Sequence, residues 1–200
     1  MQPNSKLELS QVLSGKLRNM AHVYRYSSIP TLRRENVAEH SFYCALIAYL
    51  IATDLRDNNP DIEELANLRV GILLERALLH DIDEAITGDF LRKVKYSIPG
   101  LKEMLNKVAV DSLVQVSSDV GVDLKTRWLE CKDPSLEGNI LALSDFLCVV
   151  SYVLEEVRSG NTHIRPVLGE VKGYLQKFYE NETSGRYLGK YIAAAIVMLV

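Results

Sequence analysis

The 200-residue sequence predicts an all-α fold: a bundle of about six or seven helices in which residues 1–200 make up a single domain. Three observations carry that prediction. Apolar residues recur at helical spacing, as Leu7, Leu9, Val12, Leu13, Leu17 and Met20 do near the start. Alternating β-branched runs bounded by turn residues, the mark of strands, never persist. No internal repeat, low-complexity tract or Pro/Ser/Gly-rich linker divides the chain.

The elements follow in order. The first apolar face ends near Met20, and Ser27-Ser28-Ile29-Pro30 reads as a loop. Residues 36–39 have the N-x-x-E form of a capping box and open an apolar helix that runs to about Asp54. Asn58-Asn59-Pro60 breaks it. Residues 61–64 start the next helix, which passes through Leu65, Leu68, Ile72 and Leu73 to about His80. Gly88 and Pro99-Gly100 punctuate the following stretch, and further helices are predicted over residues 101–120, 135–158, 166–180 and 185–200.

Composition narrows the function. Apolar residues make up 48% and charged residues 24%, a globular balance that excludes disorder. The net charge of −3 supplies no general basic field for a nucleic-acid polymer or an anionic membrane. Cys44, Cys131 and Cys148 are odd in number and form no CxxC pair, and the opening MQPNSKLELS lacks a continuous apolar segment. These features predict a reducing, cytoplasmic setting. Residues 191–200, the most apolar stretch, are about half the length of a membrane span. They read as a core helix or as one covered by a second subunit.

The chemistry-bearing residues stand out against apolar helices. The chain has four histidines. His40 lies in Val37-Ala38-Glu39-His40-Ser41-Phe42, and His80-Asp81 ends the run Ala77-Leu78-Leu79. Asp145 interrupts an apolar stripe from Ile140 to Val150. A carboxylate there needs a cation, a hydrogen-bond network or a proton, because desolvation of an unpaired charge costs several kcal/mol. Two imidazoles and two carboxylates together suit a first-row transition ion better than Ca or Mg.

In the order His40, His80-Asp81, Asp145, the sequence resembles the HD-domain phosphohydrolases. The resemblance tightens in Arg33-Arg34-Glu35-Asn36-Val37-Ala38-Glu39-His40-Ser41, in His80-Asp81-Ile82-Asp83-Glu84-Ala85-Ile86-Thr87-Gly88-Asp89 and in Val94-Lys95-Tyr96. Those stretches resemble the 5′-deoxynucleotidase branch. The resemblance implies that His40, His80, Asp81 and Asp145 hold one divalent transition metal ion (Co, Mn, Zn or Fe). It implies that Arg25 orients the phosphate, that Glu84 is the general acid/base, and that Asp89 contacts the sugar. It also implies a homodimer.

Two departures bear on specificity. Tyr26 stands where the branch commonly has tryptophan, and Phe90-Leu91-Arg92-Lys93 replaces a common Leu-Pro-Thr-Pro. The second change brings Arg92 and, just beyond, Lys95 toward the expected phosphate. The predicted reaction is hydrolysis of the 5′-phosphate of (deoxy)ribonucleoside monophosphates. Two alternatives stay open: a dNTP triphosphohydrolase using the same site, and a non-catalytic nucleotide sensor.

Overall fold

Helix follows helix in the computed structural model, and the one β-bridge among the described residues joins Tyr24 to Asn36. The structure describes residues 6–90, 92–180 and 182–199, with the side chains of 92–93 and 182–185 outside that description. In chain order the elements are α1 (Leu9–Ser14), a 3-10 helix η1 (Lys16–Ala21), α2 (Val37–Asn58), α3 (Glu63–Ala66) and α4 (Val70–Leu79). There follow α5 (Glu84–Thr87), α6 (Arg92–Ser97), α7 (Leu101–Val120), α8 (Leu124–Glu130), α9 (Leu136–Arg158), α10 (Arg165–Glu180) and α11 (Glu182–Met198).

The all-α expectation holds and the expected count of six or seven does not. Among the described residues there are eleven α-helices, of which six reach ten residues or more: α2, α4, α7, α9, α10 and α11. The excess consists of helices of four to seven residues. These are too short to show a hydrophobic period, and tertiary packing rather than propensity holds them.

Two predicted helices are also split. The first breaks at Gly15, whose backbone is extended, so Leu7, Leu9 and Leu13 are exposed and only Val12, Leu17 and Met20 reach a core. The helix expected over residues 61–80 breaks before Val70. There the Glu137 carboxylate of α9 accepts from Arg69 N at 3.2 Å and Arg69 Nε at 3.1 Å, fixing a new helix start. That carboxylate lies 68 positions away, out of reach of any local pattern.

Where caps are local, the boundaries match. The Asn36 side chain accepts from Glu39 N at 2.9 Å, which opens α2 as predicted. The reciprocal half of the box is absent because the Glu39 carboxylate pairs with Arg33. Ser135 caps α9 through Gly138 N at 3.3 Å.

The largest core cluster joins α2, α4, α9, α10 and α11 and includes Leu55, Leu73, Leu143, Leu175, Leu188 and Ile192. A second unites Ile82 with Leu113, Val116, Val120 and Trp128, and a third unites Tyr26 with Tyr152, Val153 and Ile164. Ile192, Ala195 and Leu199 are buried in the first cluster while Val197 and Met198 are exposed, so one face of the apolar terminus is core. None of the described helices is long and apolar enough to cross a membrane.

Candidate metal centre and substrate pocket

His40 enters on the first turns of α2 and Asp145 projects from the middle of α9, two helices packed side by side. His40 Nε2 lies 3.1 Å from Asp145 Oδ1. His80 caps the C-terminus of α4, and its Nδ1 is 2.8 Å from Ala77 O. A carbonyl only accepts, so Nδ1 carries a proton, and Nε2, 3.4 Å from His40 Nε2, is the nitrogen that the neutral ring would offer to a metal ion. Asp81 Oδ2 lies 3.3 Å from His80 Nε2 and 3.7 Å from His40 Nε2.

This donor set fits a transition ion. One ligand atom each from His40, His80 and Asp145 lies within 4.8 Å of the others, with nitrogen and carboxylate oxygen mixed. Side-chain exposure rises from 0% at His40 through 11% at His80 and 22% at Asp81 to 33% at Asp145. The open side therefore faces the carboxylates, where a substrate oxygen or water would enter.

The electrostatics agree. Burial disfavours a charged His80, but Asp81 and then Asp145 outweigh it and raise its pKa to about 9. Burial likewise opposes ionisation of Asp81 and Asp145, yet the imidazoles, with Arg25 for Asp81, hold both below the usual carboxylate range. Two clustered carboxylates demand positive charge, and a proton on His80 competes with a divalent ion to supply it.

Arg25 leaves the loop that the Tyr24–Asn36 bridge pins in front of α2, and its N–H donates to Glu35 O at 2.9 Å. Its Nη1 donates to Asp81 Oδ2 at 3.1 Å, while Nε faces Glu35 Oε2 at 3.6 Å. Burial works against the guanidinium charge, but Asp81, Tyr26, Asp145 and Glu84 raise its pKa above the ordinary value. Glu84 begins α5, its N–H donating to Asp81 O at 3.0 Å, so one turn sets it beside Asp81. Its Oε2 is buried without a hydrogen-bond partner. Burial first, then the charges of Asp81 and Asp89, push its pKa up to about 10.

Tyr26 has a left-handed backbone, φ 57°, which is rare for a bulky residue and needs outside support. Asp89 Oδ2 accepts from Tyr26 N at 3.3 Å, and the ring stacks on Tyr152 at 4.9 Å and 6°. Gly88 (φ 76°) turns the chain to present Asp89.

A cavity of about 460 Å³ opens beside these groups. Arg25, Asp81, Glu84, Asp89, Lys95 and Asp145 line its polar part; Tyr26, Phe146, Val149, Val167 and Tyr174 line its apolar part. The structure thus brings together His40, His80, Asp81, Asp145, Arg25, Glu84, Tyr26, Asp89 and Lys95. The Arg92 side chain lies outside the described residues. His22 is exposed and lines no part of the cavity.

Three contributors escaped the sequence reading. Glu35 is buried behind Arg25, Tyr152 supports Tyr26, and Trp128 Nε1 donates to His80 O at 3.1 Å and Asp83 Oδ1 at 2.9 Å, bracing the His80–Asp83 turn. The apolar wall from α10 was missed as well. The one available signal was that Trp128 is the sole tryptophan in the chain.

Comparison with known proteins gives the family and the fold. The profile of the YfbR-like 5′-deoxynucleotidase family matches residues 13–194. The 5′-deoxynucleotidases YfbR of Salmonella paratyphi B and Salmonella typhi are each 30% identical to the chain, over 168 and 153 residues. The alignments cover 82% and 74% of this chain and 80% and 74% of those proteins. An HD-domain phosphohydrolase of Listeria innocua superposes with a TM-score of 0.75 at 23% identity, covering 94% of this chain and 90% of the other. The HD phosphohydrolase DatZ of cyanophage S-2L, solved with dA and one catalytic Zn2+, superposes at 0.60 and 18% identity, covering 92% and 96%. The two superpositions are likenesses of fold.

Proposed function

The chain belongs to the YfbR-like 5′-deoxynucleotidase family, and from that premise we propose that it hydrolyses the 5′-phosphate of (deoxy)ribonucleoside monophosphates to nucleoside and inorganic phosphate. The observation that carries the reading is the convergence of His40, His80, Asp81 and Asp145, with Asp81 and Asp145 lining one cavity together with Arg25 and Glu84. His40, His80, Asp81 and Asp145 would hold a divalent transition ion. Such an ion polarises a phosphoryl oxygen and lowers the pKa of an attacking water.

The chain's own residues divide the remaining work. Arg25 grips the phosphate through a planar fork whose position Asp81 and Glu35 set. Glu84 retains its proton in this field and delivers it to the departing 5′-oxygen. With the charge of Asp81 offset by a cation, its pKa would fall back toward the ordinary carboxylate range. Asp89 accepts from a sugar hydroxyl, Tyr26 walls the sugar, and Phe146, Val149 and Tyr174 exclude water around the base.

We further propose that residues 1–200 act as one HD domain in the cytoplasm, a setting that suits three buried, free cysteines. Two copies would pair through the outer face of α2, where Phe42, Leu46, Tyr49 and Leu50 are exposed at helical spacing. Light scattering on the wild type and on a Leu46→Glu/Leu50→Glu variant tests the pairing, with a monomeric wild type against it. The function is tested by incubating the protein with deoxynucleoside monophosphates and triphosphates under Mn, Co, Zn and Mg. Orthophosphate and nucleoside released from the monophosphates support the reading; no turnover with any ion overturns it.

A further inference from the structure

In the proposed reaction the phosphate and sugar occupy the polar part of the cavity, which leaves its far part to the base. Two helices wall that part. On α9 the cavity face continues from Asp145 and Phe146 to Val149. On α10 it consists of Pro166, Val167, Glu170, Val171 and Tyr174, the stripe of a single helix face. α10 returns along α9 after a short connection, and Tyr174 stacks on Phe146 with ring centres 5.7 Å apart at 22°. Glu170, one turn nearer the start of α10, therefore stands about 6 Å along the axis beyond that aromatic pair.

A carboxylate contrasts with the carbon around it. Aromatic and aliphatic walls hold all bases alike, since every base has a π-face. Selection among bases falls to the few polar groups of such a pocket. In the far part these belong to Glu170, Tyr174 and the exposed His163. A phenol or a neutral imidazole both donates and accepts, and so suits several base edges. A carboxylate only accepts. Its two oxygens match two adjacent N–H donors, as in an arginine pair, and its lone pairs suffice for a further partner as well. Guanine alone among the common bases presents that edge, with N1–H beside the 2-amino group. Adenine and cytosine offer one amino group flanked by a ring-nitrogen acceptor. Thymine offers one N–H between two carbonyls, whose oxygens a carboxylate repels.

We propose that Glu170 is the base-selecting residue of this cavity and that guanine nucleotides are the favoured substrates. The inference rests on the reading of the cavity as a nucleoside monophosphate site and adds the base to it.

The full-length protein is assayed with dGMP, dAMP, dCMP, dTMP and dIMP under Mn, Co, Zn and Mg, with calorimetry on dGMP and dTMP in parallel. The hypoxanthine of dIMP keeps N1–H and lacks the 2-amino group. For dGMP, kcat/KM is expected to exceed that for dTMP by at least about tenfold, with dIMP between them. Glu170→Gln turns one acceptor into a donor that faces the donors of guanine, and Glu170→Ala removes both acceptors. Each should shrink the dGMP-to-dTMP ratio about tenfold, through KM rather than kcat. A ratio does not depend on how much of a variant is folded, so a structural defect alone leaves it unmoved. Equal kcat/KM for the five nucleotides, or a ratio that survives both Glu170 variants and collapses only in His163→Ala, overturns the proposal. The two readings fail separately. Hydrolysis without base preference removes this inference alone, whereas Glu170-dependent, preferential binding of dGMP without hydrolysis removes the reaction alone. Absence of nucleotide binding by calorimetry removes both.

Discussion

Glu84→Gln keeps the volume of the side chain and removes its acid proton. The native carboxyl is buried, and its pKa is raised to about 10. A neutral amide therefore loses no ion pair, and the melting temperature is expected to stay level or rise. The turnover number should nonetheless fall by about 10²-fold or more, the usual contribution of a positioned acid. Full activity in this variant would remove the proton-donor role. Arg25→Ala behaves differently, because it leaves Asp81 and Glu35 without their cation. It should lower kcat/KM by about 10²-fold and also reduce stability, since an abandoned buried charge is costly. Thermal unfolding run beside the kinetics separates the two effects. His80→Ala removes one of the two imidazoles, and elemental analysis should find the bound ion reduced to traces.

Among the elements, the loop before α2 depends on one carboxylate from α9. Glu156 accepts from Leu32 N at 2.9 Å, Arg33 N at 2.8 Å and Asn161 Nδ2 at 2.6 Å. Burial opposes its charge, yet these donors outweigh it and lower its pKa below the ordinary glutamate value. A carboxyl depressed on folding stabilises the native state above its unfolded pKa of about 4.3 and loses that contribution as pH falls through the lower folded value. Glu156→Gln should therefore cost about 1–3 kcal/mol at neutral pH, with the gap from wild type narrowing below about pH 4. Denaturant midpoints at the two pH values check it. Gly138 supports the other end of the same helix: a Cβ there would stand 1.8 Å from Asp133 O. Gly138→Ala should cost about 1–3 kcal/mol through forced backbone movement, read as a lowered melting temperature.

For the whole molecule, three clusters of buried apolar side chains supply packing that needs no ion. Chelation is expected to abolish hydrolysis while leaving helical circular dichroism intact. The loss of stability should be only the linkage term, about 2.7 kcal/mol for an ion supplied at 100 times its Kd. Wholesale unfolding on chelation would mean that the ion is structural. The cavity lies where α5, α6, α9 and α10 meet the loop that carries Arg25 and Tyr26 and the turn that carries Asp81. A variant that loosens the Glu156 anchor should thus affect substrate binding as well as stability.

Read alone, the amino-acid order determined what depends on neighbours a few positions apart. The helical class, the long helices over residues 101–120 and 135–158, the Asn36 cap, and the spacing of histidines and aspartates that carries the family resemblance were legible there. Tertiary structure alone decided what depends on distant partners. Glu137 splits α3 from α4 across 68 positions, Glu35 and Asp81 hold Arg25 between them, Trp128 braces the His80–Asp83 turn across 45, and α10 supplies the apolar wall. The physical reason is one of range: caps and hydrophobic periods are local energies written in the chain, whereas a buried ion pair or a cavity wall exists only after packing has brought remote residues together.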